Sequence, residues 1–269
     1  MRRIAHLSDL HFGTEDRQVA AGLLAELERQ SPQLVVVSGD LTQRARRSQF
    51  VAAHDYLDQI AAPKLIVPGN HDLPLYNVWD RLLHPLANYR RFITDEMHPF
   101  FRDDEMAVAG INTARSNQWK EGRISLAQMD TLQKQFSEVP DDILKVLVCH
   151  HPFIPPGEGV ETYLVGRAPL ALKMLESSGC ALILSGHLHH AYYGDVRAHH
   201  LTVTRFILVA QAGTAISNRR RDEPNAYNLI TLDGDRLQLE VRTWEGSRFA
   251  TTVQSQYVRC ETGWAALPT

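Results

Sequence analysis

The sequence lacks a hydrophobic segment long enough to span a membrane. No apolar run approaches the roughly 18 to 20 residues that a transmembrane helix requires. The first residues, Met1-Arg2-Arg3, lead directly into a strand-like run rather than into the apolar region of a signal peptide. We therefore expect a cytoplasmic protein with no membrane span.

Cysteine is scarce, and neither sign of charge dominates. Cys149, Cys180 and Cys260 are widely spaced and odd in number, which argues against a disulfide framework. The formal net charge is −3, so the chain lacks the basic excess of proteins that bind long nucleic acids or coat anionic membranes. With 269 residues, 44% of them hydrophobic, it can bury a substantial core.

Short apolar strands alternate with amphipathic helices along much of the chain. Residues 4–8, 34–37 and 65–67 are apolar and strand-like, whereas 17–30 and 48–60 carry apolar residues at helical spacing. Apolar strands separated by helices predict βαβ units and a largely parallel sheet that is covered on both faces.

The second half of the chain resumes this pattern and then becomes rich in strands. Residues 106–111, 146–149 and 181–184 predict further buried strands. Ser125 and Gln128 form the capping-box pattern that opens a helix. The sequence contains no internal repeat and no interdomain linker, so these elements are expected to share one fold.

Residues 73–102 interrupt the alternation. Trp79, Leu82, Leu83 and Leu86 have helical spacing, which predicts a helix that either packs on the body of the protein or forms a lid over a substrate pocket.

The domain prediction follows from these segments. We predict one domain over residues 1–245, with the helical lid insertion at 73–102 inside it. Residues 246–269 then form a C-terminal tail that could make the contact of a homodimer.

Side chains that bind metals follow five of the predicted strands. All are carboxylates, imidazoles or amides, and none is a thiolate, which favours Mn, Fe, Zn or Co over a thiolate-rich structural zinc site. A single motif of this kind after a strand occurs by chance in many proteins. Five strand ends that carry such side chains together predict a metal site. The set comprises Asp9, His11, Asp40, Asn70, His71, His150, His187 and His189.

The segment Gly69-Asn70-His71-Asp72 is the richest of these. Taken alone it could be an ordinary polar turn. In a metal site, the Asn70 amide oxygen could bind the ion, and Asp72 could orient the His71 imidazole and raise its basicity. We therefore predict catalytic roles for His71 and Asp72.

The strand-end motifs resemble those of the calcineurin-like metallophosphoesterases, in the same order and over roughly residues 1 to 232. The motifs are Asp9-Leu10-His11, Gly39-Asp40, Gly69-Asn70-His71-Asp72, His150-His151-Pro152 and Gly186-His187-Leu188-His189. The resemblance implies an α/β fold, a four-layer αββα sandwich of two mixed β-sheets flanked by helices.

The resemblance also implies two metal sites that share one residue. Asp9, His11 and His189 hold one ion, and Asp40 bridges it to the other. The second ion is held by Asp40 together with Asn70, His150 and His187. We expect Mn or Fe, with Zn or Co as alternatives.

Such a pair of ions predicts a mechanism. A hydroxide that bridges the two metals attacks phosphorus in line with the leaving group. His71 stabilises the transition state or protonates the leaving alkoxide, and Asp72 holds the ring of His71. We interpret the second imidazole of this region, His151, as a core or supporting residue.

Differences from the motifs of other branches of the family narrow the choice of substrate class. Asp40 is followed by Leu41-Thr42-Gln43 without the tyrosine ligand of purple acid phosphatases, and the protein Ser/Thr phosphatase motifs are absent. The chain is similar to bacterial class III cyclic nucleotide phosphodiesterases and their glycerophosphodiesterase relatives. This implies hydrolysis of a small phosphodiester, above all a 3′,5′-cyclic nucleotide.

Two alternatives remain. A UDP-2,3-diacylglucosamine pyrophosphatase of lipid A synthesis is one, because the apolar stretch 79–101 could accept acyl chains, although the commonest form of that enzyme has arginine in place of His71. An inactive binding scaffold is the other, but such proteins usually lose ligands, and here every motif position is filled.

Substrate contacts are predicted in two further loops. Asn112 and Arg115 follow a strand, and Arg220 lies in the basic run Asn218-Arg219-Arg220-Arg221. Amide and guanidinium groups recognise phosphate oxygens well. The alternative for the run 219–221 is a solvated basic loop.

Overall fold

The computed structural model of the chain describes residues 1–157, 162–220, 223–260 and 263–268. The strands are β1 Arg2–Leu7, β2 Leu34–Val37, β3 Lys64–Ile66, β4 Phe100–Arg102, β5 Met106–Gly110, β6 Leu144–Val148, β7 Cys180–Ser185, β8 Tyr192–Asp195, β9 Leu208–Gln211, β10 Ala226–Asp233, β11 Arg236–Trp244, β12 Phe249–Cys260 and β13 Gly263–Ala266. The α-helices are α1 Arg17–Gln30, α2 Arg47–Leu57, α3 Val78–Leu83, α4 Ala87–Phe92, α5 Leu126–Ser137 and α6 Ala168–Ser177.

The strands form two mixed sheets. The order in the first is β13-β12-β11-β10-β1-β2-β3, and in the second β4-β5-β6-β7-β9-β8. In the first sheet β1, β2 and β3 run parallel, and in the second β5, β6, β7 and β9 do so. The remaining strands pair antiparallel. Parallel strands bring their carboxyl ends to one edge of a sheet, which is where the predicted ligands follow them.

Three apolar clusters divide the fold into four layers. One cluster lies between the two sheets and includes Val36 of the first and Val148 of the second. A second joins the outer face of the first sheet to α1 and α2, and a third joins the second sheet to α5 and α6. This is the predicted αββα sandwich. The strand β2 is buried at all of its positions, as a strand covered on both faces must be.

Sequence-local signals account for several helix ends. The side chain of Asp16 accepts hydrogen bonds from the first turn of α1. The predicted capping box of α5 is confirmed, because Ser125 Oγ accepts from Gln128 N at 3.1 Å and Gln128 Oε1 accepts from Ser125 N at 2.9 Å. None of the described helices has the length and apolar character needed to cross a membrane.

The segment 73–102 differs from the single helix expected there. It contains the short helices α3 and α4, separated around Pro85, because proline disfavours helical geometry at the preceding residue. Trp79 on α3 is exposed rather than packed on the body. Tyr89 anchors α4, since it is fully buried and donates a hydrogen bond to the Ile66 carbonyl at 3.1 Å.

Much of the segment predicted as a C-terminal tail extends the first sheet. β12 pairs with β11 along its length, and β13 pairs with β12. The domain boundary at 245 and the dimer contact stay predictions.

Candidate dinuclear metal centre

The predicted ligands lie on loops that leave strand ends with strained backbones. Asp9, His11, Asp40, His187 and His189 have φ values of 54°, 46°, 53°, 81° and 62°. Left-handed backbone is unfavourable for residues with a side chain and persists only where the surrounding structure imposes it. These loops are therefore shaped to direct their side chains toward one point.

Two glycines of the motifs make room for the ligands. Gly39 has φ +100°, and a Cβ atom built on it would lie 2.7 Å from His150 Nδ1. A Cβ atom on Gly186 would lie 2.7 Å from Asp9 Oδ2 and would overlap the hydroxyl of Ser8. Because any larger residue would displace these groups, glycine is required at both positions.

The first ligand cluster comprises Asp9, His11 and His189. The Nε2 atoms of His11 and His189 lie 3.5 and 3.6 Å from Asp9 Oδ1. The two rings are stacked, with centroids 5.1 Å apart. All three side chains are buried. Together they could hold one metal ion.

The second cluster comprises Asp40, Asn70, His150 and His187. Asn70 Oδ1 lies 3.2 Å from His150 Nε2 and 3.0 Å from His187 Nδ1, and the two ring nitrogens are 3.3 Å apart. His150 Nε2 is 3.4 Å from Asp40 Oδ1. Asp40, His150 and His187 form a second group that could hold a metal ion.

Asp40 joins the two clusters. Its Oδ2 lies 3.7 Å from His11 Nε2 in the first cluster, and its Oδ1 faces His150 in the second. The two carboxylate oxygens thus point to different clusters, which is the arrangement predicted for a bridging ligand.

The donor set fits two bound cations. Ligands bonded to such a metal at roughly 2.0 to 2.2 Å lie about 3 to 3.5 Å from one another, which matches the spacings within each cluster. Asp9 Oδ1 and both ring nitrogens of His11 are buried and make no hydrogen bond among the described residues. Buried polar atoms are rarely left this way, and coordination to a metal would satisfy Asp9 Oδ1 and His11 Nε2, the nitrogen that faces the two carboxylates.

Burial and charge set the protonation of the site. Burial raises the pKa of the Asp9 carboxyl, but neighbouring imidazoles, His189 first among them, outweigh it and hold that pKa below its usual range. The pKa of Asp40 is likewise well below its usual range despite burial, chiefly because of His150. Burial lowers the pKa of His187 to about 3 and of His189 to about 4. Ionised carboxylates and neutral imidazoles are the forms that bind metals.

His150 is the exception among the imidazoles. Burial lowers its pKa, but the negative charge of Asp40 prevails and raises it to about 9. A cation at this position would therefore displace a proton, so metal affinity there should depend on pH.

Groups behind the ligands fix their orientation. His150 Nδ1 donates to the Ser38 carbonyl at 2.8 Å, so Nε2 is the nitrogen that faces the cluster and that offers its lone pair once a metal displaces its proton. His189 Nδ1 bonds Thr214 Oγ1 at 2.7 Å, and Ser8 Oγ donates to Asp9 Oδ2 at 2.6 Å. The sequence did not reveal these partners, because no motif connects Thr214 to His189 before the chain is folded.

His71 lies at the edge of the centre. Its backbone N–H donates to Asp40 Oδ1 at 2.8 Å. Its ring Nδ1 donates to the Gln43 carbonyl at 2.8 Å, and its Nε2 is 2.8 Å from Arg219 Nη1. Burial lowers the pKa of the imidazole. The ring is therefore neutral, with Nε2 as the acceptor of an Arg219 N–H.

The structure corrects the predicted role of Asp72. Its carboxylate accepts hydrogen bonds from Gly69 N, Leu41 N and Thr42 N at 2.9, 3.2 and 2.9 Å, and from the Thr42 hydroxyl at 3.0 Å. The prediction that Asp72 holds the ring of His71 is wrong, because the two residues lie on a 3-10 turn whose successive side chains diverge. Asp72 instead ties two ligand loops together.

Asn112 and Arg115, predicted to contact substrate, have local partners. Arg115 Nη2 donates to Gln128 Oε1 at 2.5 Å, and Nη1 donates to the carbonyls of Asn112 and Ala114 at 3.1 Å each. Asn112 Oδ1 accepts from Ala114 N at 2.9 Å. These bonds brace the start of α5, a role that the sequence prediction missed.

The basic run at 218–221 approaches the site through a residue other than the one predicted. Arg219 and Arg220 are both exposed, but among the described residues it is the side chain of Arg219 that reaches His71. Arg221 lies outside the described residues. Sequence alone could not distinguish among consecutive arginines, because their directions are set by the loop.

A family model described as Calcineurin-like phosphoesterase matches residues 2–191 of the chain. This match confirms the resemblance of the five motifs.

Curated proteins similar to the chain are named as phosphodiesterases. A probable cyclic nucleotide phosphodiesterase of Synechococcus is 24% identical over 70% of this chain and 74% of its own length. Another, from Pseudoalteromonas, is 21% identical over 90% of this chain and 92% of its own. A glycerophosphodiester phosphodiesterase of Enterobacter lignolyticus is 27% identical over 57% of this chain and 58% of its own.

Solved structures share the fold at low identity. A yellow lupin purple acid phosphatase superposes with a TM-score of 0.68 at 14% identity, covering 93% of this chain and 52% of that one. A dimetal phosphatase from Danio rerio gives 0.66 at 15% identity, covering 90% of this chain and 96% of that one. These likenesses concern the fold alone.

We expect Asp40→Ala to lose both metals, because its two oxygens face different clusters. His189→Ala should retain one ion, since it removes a ligand of the first cluster only. Metal content per chain after Mn²⁺ loading and gel filtration, measured by mass spectrometry, distinguishes the two variants. An Asp40→Ala protein that holds two tightly bound ions would contradict the bridging role.

Proposed function

The chain belongs to the calcineurin-like phosphoesterase family, and we propose that it hydrolyses a small phosphodiester, above all a 3′,5′-cyclic nucleotide. Family membership makes it a metal-dependent phosphoester hydrolase. The observation that carries the proposal is the carboxylate of Asp40 between two ligand clusters, with His11 Nε2 and His150 Nε2 at 3.7 and 3.4 Å from it. The names of two relatives support the cyclic nucleotide.

We assign the ligands as the sequence predicted. Asp9, His11, Asp40 and His189 would hold one ion, and Asp40, Asn70, His150 and His187 the other. Mn or Fe suits this set of oxygen and imidazole donors, and Zn or Co would also fit it. When bound, the two ions lower the pKa of a water molecule and neutralise charge on the phosphoryl oxygens.

His71 is the proton donor or oxyanion partner in this proposal. The Gln43 carbonyl holds Nδ1, so Nε2 is the nitrogen that faces the reaction; it is unprotonated while it accepts from Arg219, and it has to take up a proton from solvent before it can pass one to the leaving oxygen. The bond from the His71 backbone to Asp40 fixes this residue relative to the ligand clusters. The ring is thus positioned by main-chain groups, independently of Asp72.

Arg219 adds positive charge at the open side of the site. Its guanidinium contacts His71 Nε2 and reaches Gln43 Oε1 at 3.5 Å. A guanidinium can donate two parallel hydrogen bonds to phosphoryl oxygens. We propose that Arg219 turns from His71 onto the substrate phosphate, which frees Nε2 for the leaving group.

One observation favours an amphiphilic substrate, as a UDP-diacylglucosamine pyrophosphatase would bind. Helix α3 exposes Val78, Trp79, Leu82 and Leu83 at 53%, 75%, 54% and 65%. An apolar surface of this kind could receive acyl chains. UDP-2,3-diacylglucosamine is therefore the second substrate to test.

We expect the Mn²⁺-loaded protein to hydrolyse 3′,5′-cyclic AMP with kcat/KM above about 10⁴ M⁻¹s⁻¹, the ordinary range of enzymes. Chromatography of the product measures the rate, with Asp40→Ala as the control for contaminating activity. Efficient cleavage of bis(4-nitrophenyl) phosphate without cleavage of the cyclic nucleotide would contradict the proposed substrate. It would still support phosphodiesterase activity. Preference for UDP-diacylglucosamine would support the second candidate.

We expect His71→Ala to slow diester hydrolysis by roughly 10² to 10⁴, the usual contribution of a general acid. Metal content should be unchanged, because the contact with Asp40 is made by the backbone N–H. Parallel measurements of kcat and bound metal test both points. Turnover close to that of the unmodified protein would remove His71 from the reaction.

Arg219→Ala should lower kcat/KM for the diester roughly 10- to 100-fold, as loss of a charged hydrogen bond implies. Arg219→Lys should recover part of the loss. The matched control is Arg220→Ala, which removes a neighbouring guanidinium whose side chain is exposed. Equal effects of the Arg219 and Arg220 substitutions would indicate a general charge effect and would argue against a specific contact.

A further inference from the structure

Trp119 lies next to the proposed metal ligands. Its backbone carbonyl accepts a hydrogen bond from Asn70 Nδ2 at 3.4 Å, while Asn70 Oδ1 faces His150 and His187 in the second cluster. The indole of Trp119 is 52% exposed. A large, solvent-exposed aromatic residue is thus hydrogen-bonded through its backbone to Asn70, a predicted metal ligand.

A buried arginine supports this indole from behind. The guanidinium carbon of Arg81 lies 4.4 Å from the centroid of the Trp119 ring, and Arg81 is only 3% exposed. Its nitrogens donate to four backbone carbonyls, those of Pro74, Arg115, Ser116 and Gln118, at 2.5 to 3.4 Å. The cation holds one side of the ring in place, and the exposed remainder is available to a ligand.

A second aromatic side chain is placed similarly on the His71 side of the centre. Tyr76 is 68% exposed, and the guanidinium of Arg44 lies 5.4 Å from its ring centroid. Arg44 follows Gln43, whose carbonyl holds His71. A second exposed aromatic side chain with an arginine partner is thus connected to the His71 side of the centre through the neighbouring residues Gln43 and Arg44.

We propose that Trp119 is a stacking surface for the nucleobase of the substrate and that it selects diesters with a planar aromatic group over glycerol- or lipid-derived ones. Nucleobases stack on aromatic side chains through their π faces, whatever the base. The Arg81 contact orders the ring before binding, which lowers the entropic cost of association. This inference rests on the proposed hydrolysis of a cyclic nucleotide.

The first test compares two substrates in Trp119→Ala, Trp119→Phe and Leu201→Ala. The ratio of kcat/KM for 3′,5′-cyclic AMP to that for glycerophosphoethanolamine should fall roughly tenfold in Trp119→Ala, through a higher KM for the nucleotide. Trp119→Phe should keep most of the ratio. Leu201→Ala, which removes an exposed apolar side chain outside α3 and both ligand clusters, is the control and should leave the ratio unchanged. An unchanged ratio in Trp119→Ala would overturn the proposal.

A binding measurement separates this inference from the proposed activity. In the Mn²⁺-loaded protein, 5′-AMP should quench tryptophan fluorescence more than ribose 5-phosphate does, and the difference should disappear in Trp119→Phe. If the protein cleaves no cyclic nucleotide but shows this difference, the substrate is wrong and the stacking surface stands. Equal quenching by the two ligands would overturn the stacking surface, whatever the activity.

Discussion

The carboxylate of Asp40 is the group on which the rest of the site depends. It is 1% exposed and serves two ligand clusters at once. Burial of an ionised carboxyl is costly unless opposite charge and hydrogen bonds compensate for it. Here His150 supplies the charge, and the backbone N–H of His71 supplies a hydrogen bond at 2.8 Å. The placement of His71 and of both clusters therefore follows from one buried group.

The two sheets contribute different chemistry to this centre. The loops after β1, β2 and β3 provide both carboxylates, the amide and His11, whereas the loops after β6 and β7 provide only imidazoles, those of His150, His187 and His189. The His187 backbone N–H donates to Asp9 Oδ2 at 3.0 Å, which joins the two sets. Because the apolar cluster between the sheets holds them together, the centre forms only when the sandwich is packed, and metal binding must stabilise that packing.

The sequence predicted what is encoded locally. An apolar strand followed by a polar motif can be recognised within a few residues, and the resemblance of these motifs to a known family implied the sandwich. The structure brings the predicted ligands together in two clusters, and their binding of metal stays a prediction. The hydrogen-bond partners of Asp72 could not be predicted in this way, because Leu41 and Thr42 belong to another loop. The same reason explains why Arg219, and not Arg220, reaches His71. The predictions that failed concern side chains whose partners are distant in the sequence.

In the proposed function, substrate choice depends on such distant contacts rather than on the metal centre. The fold recurs at TM-scores of 0.68 and 0.66 in a purple acid phosphatase and a dimetal phosphatase, so a shared sandwich does not fix which phosphoester is cleaved. The two groups proposed to contact substrate, Trp119 and Arg219, come from separate loops, and the buried Arg81 of α3 supports Trp119 from behind. Arg81 donates to backbone carbonyls of the loop at 115–119, which fixes α3 and this loop to one another. If Trp119 and Arg219 contact the substrate as proposed, replacing either residue would alter substrate choice without removing a metal ligand.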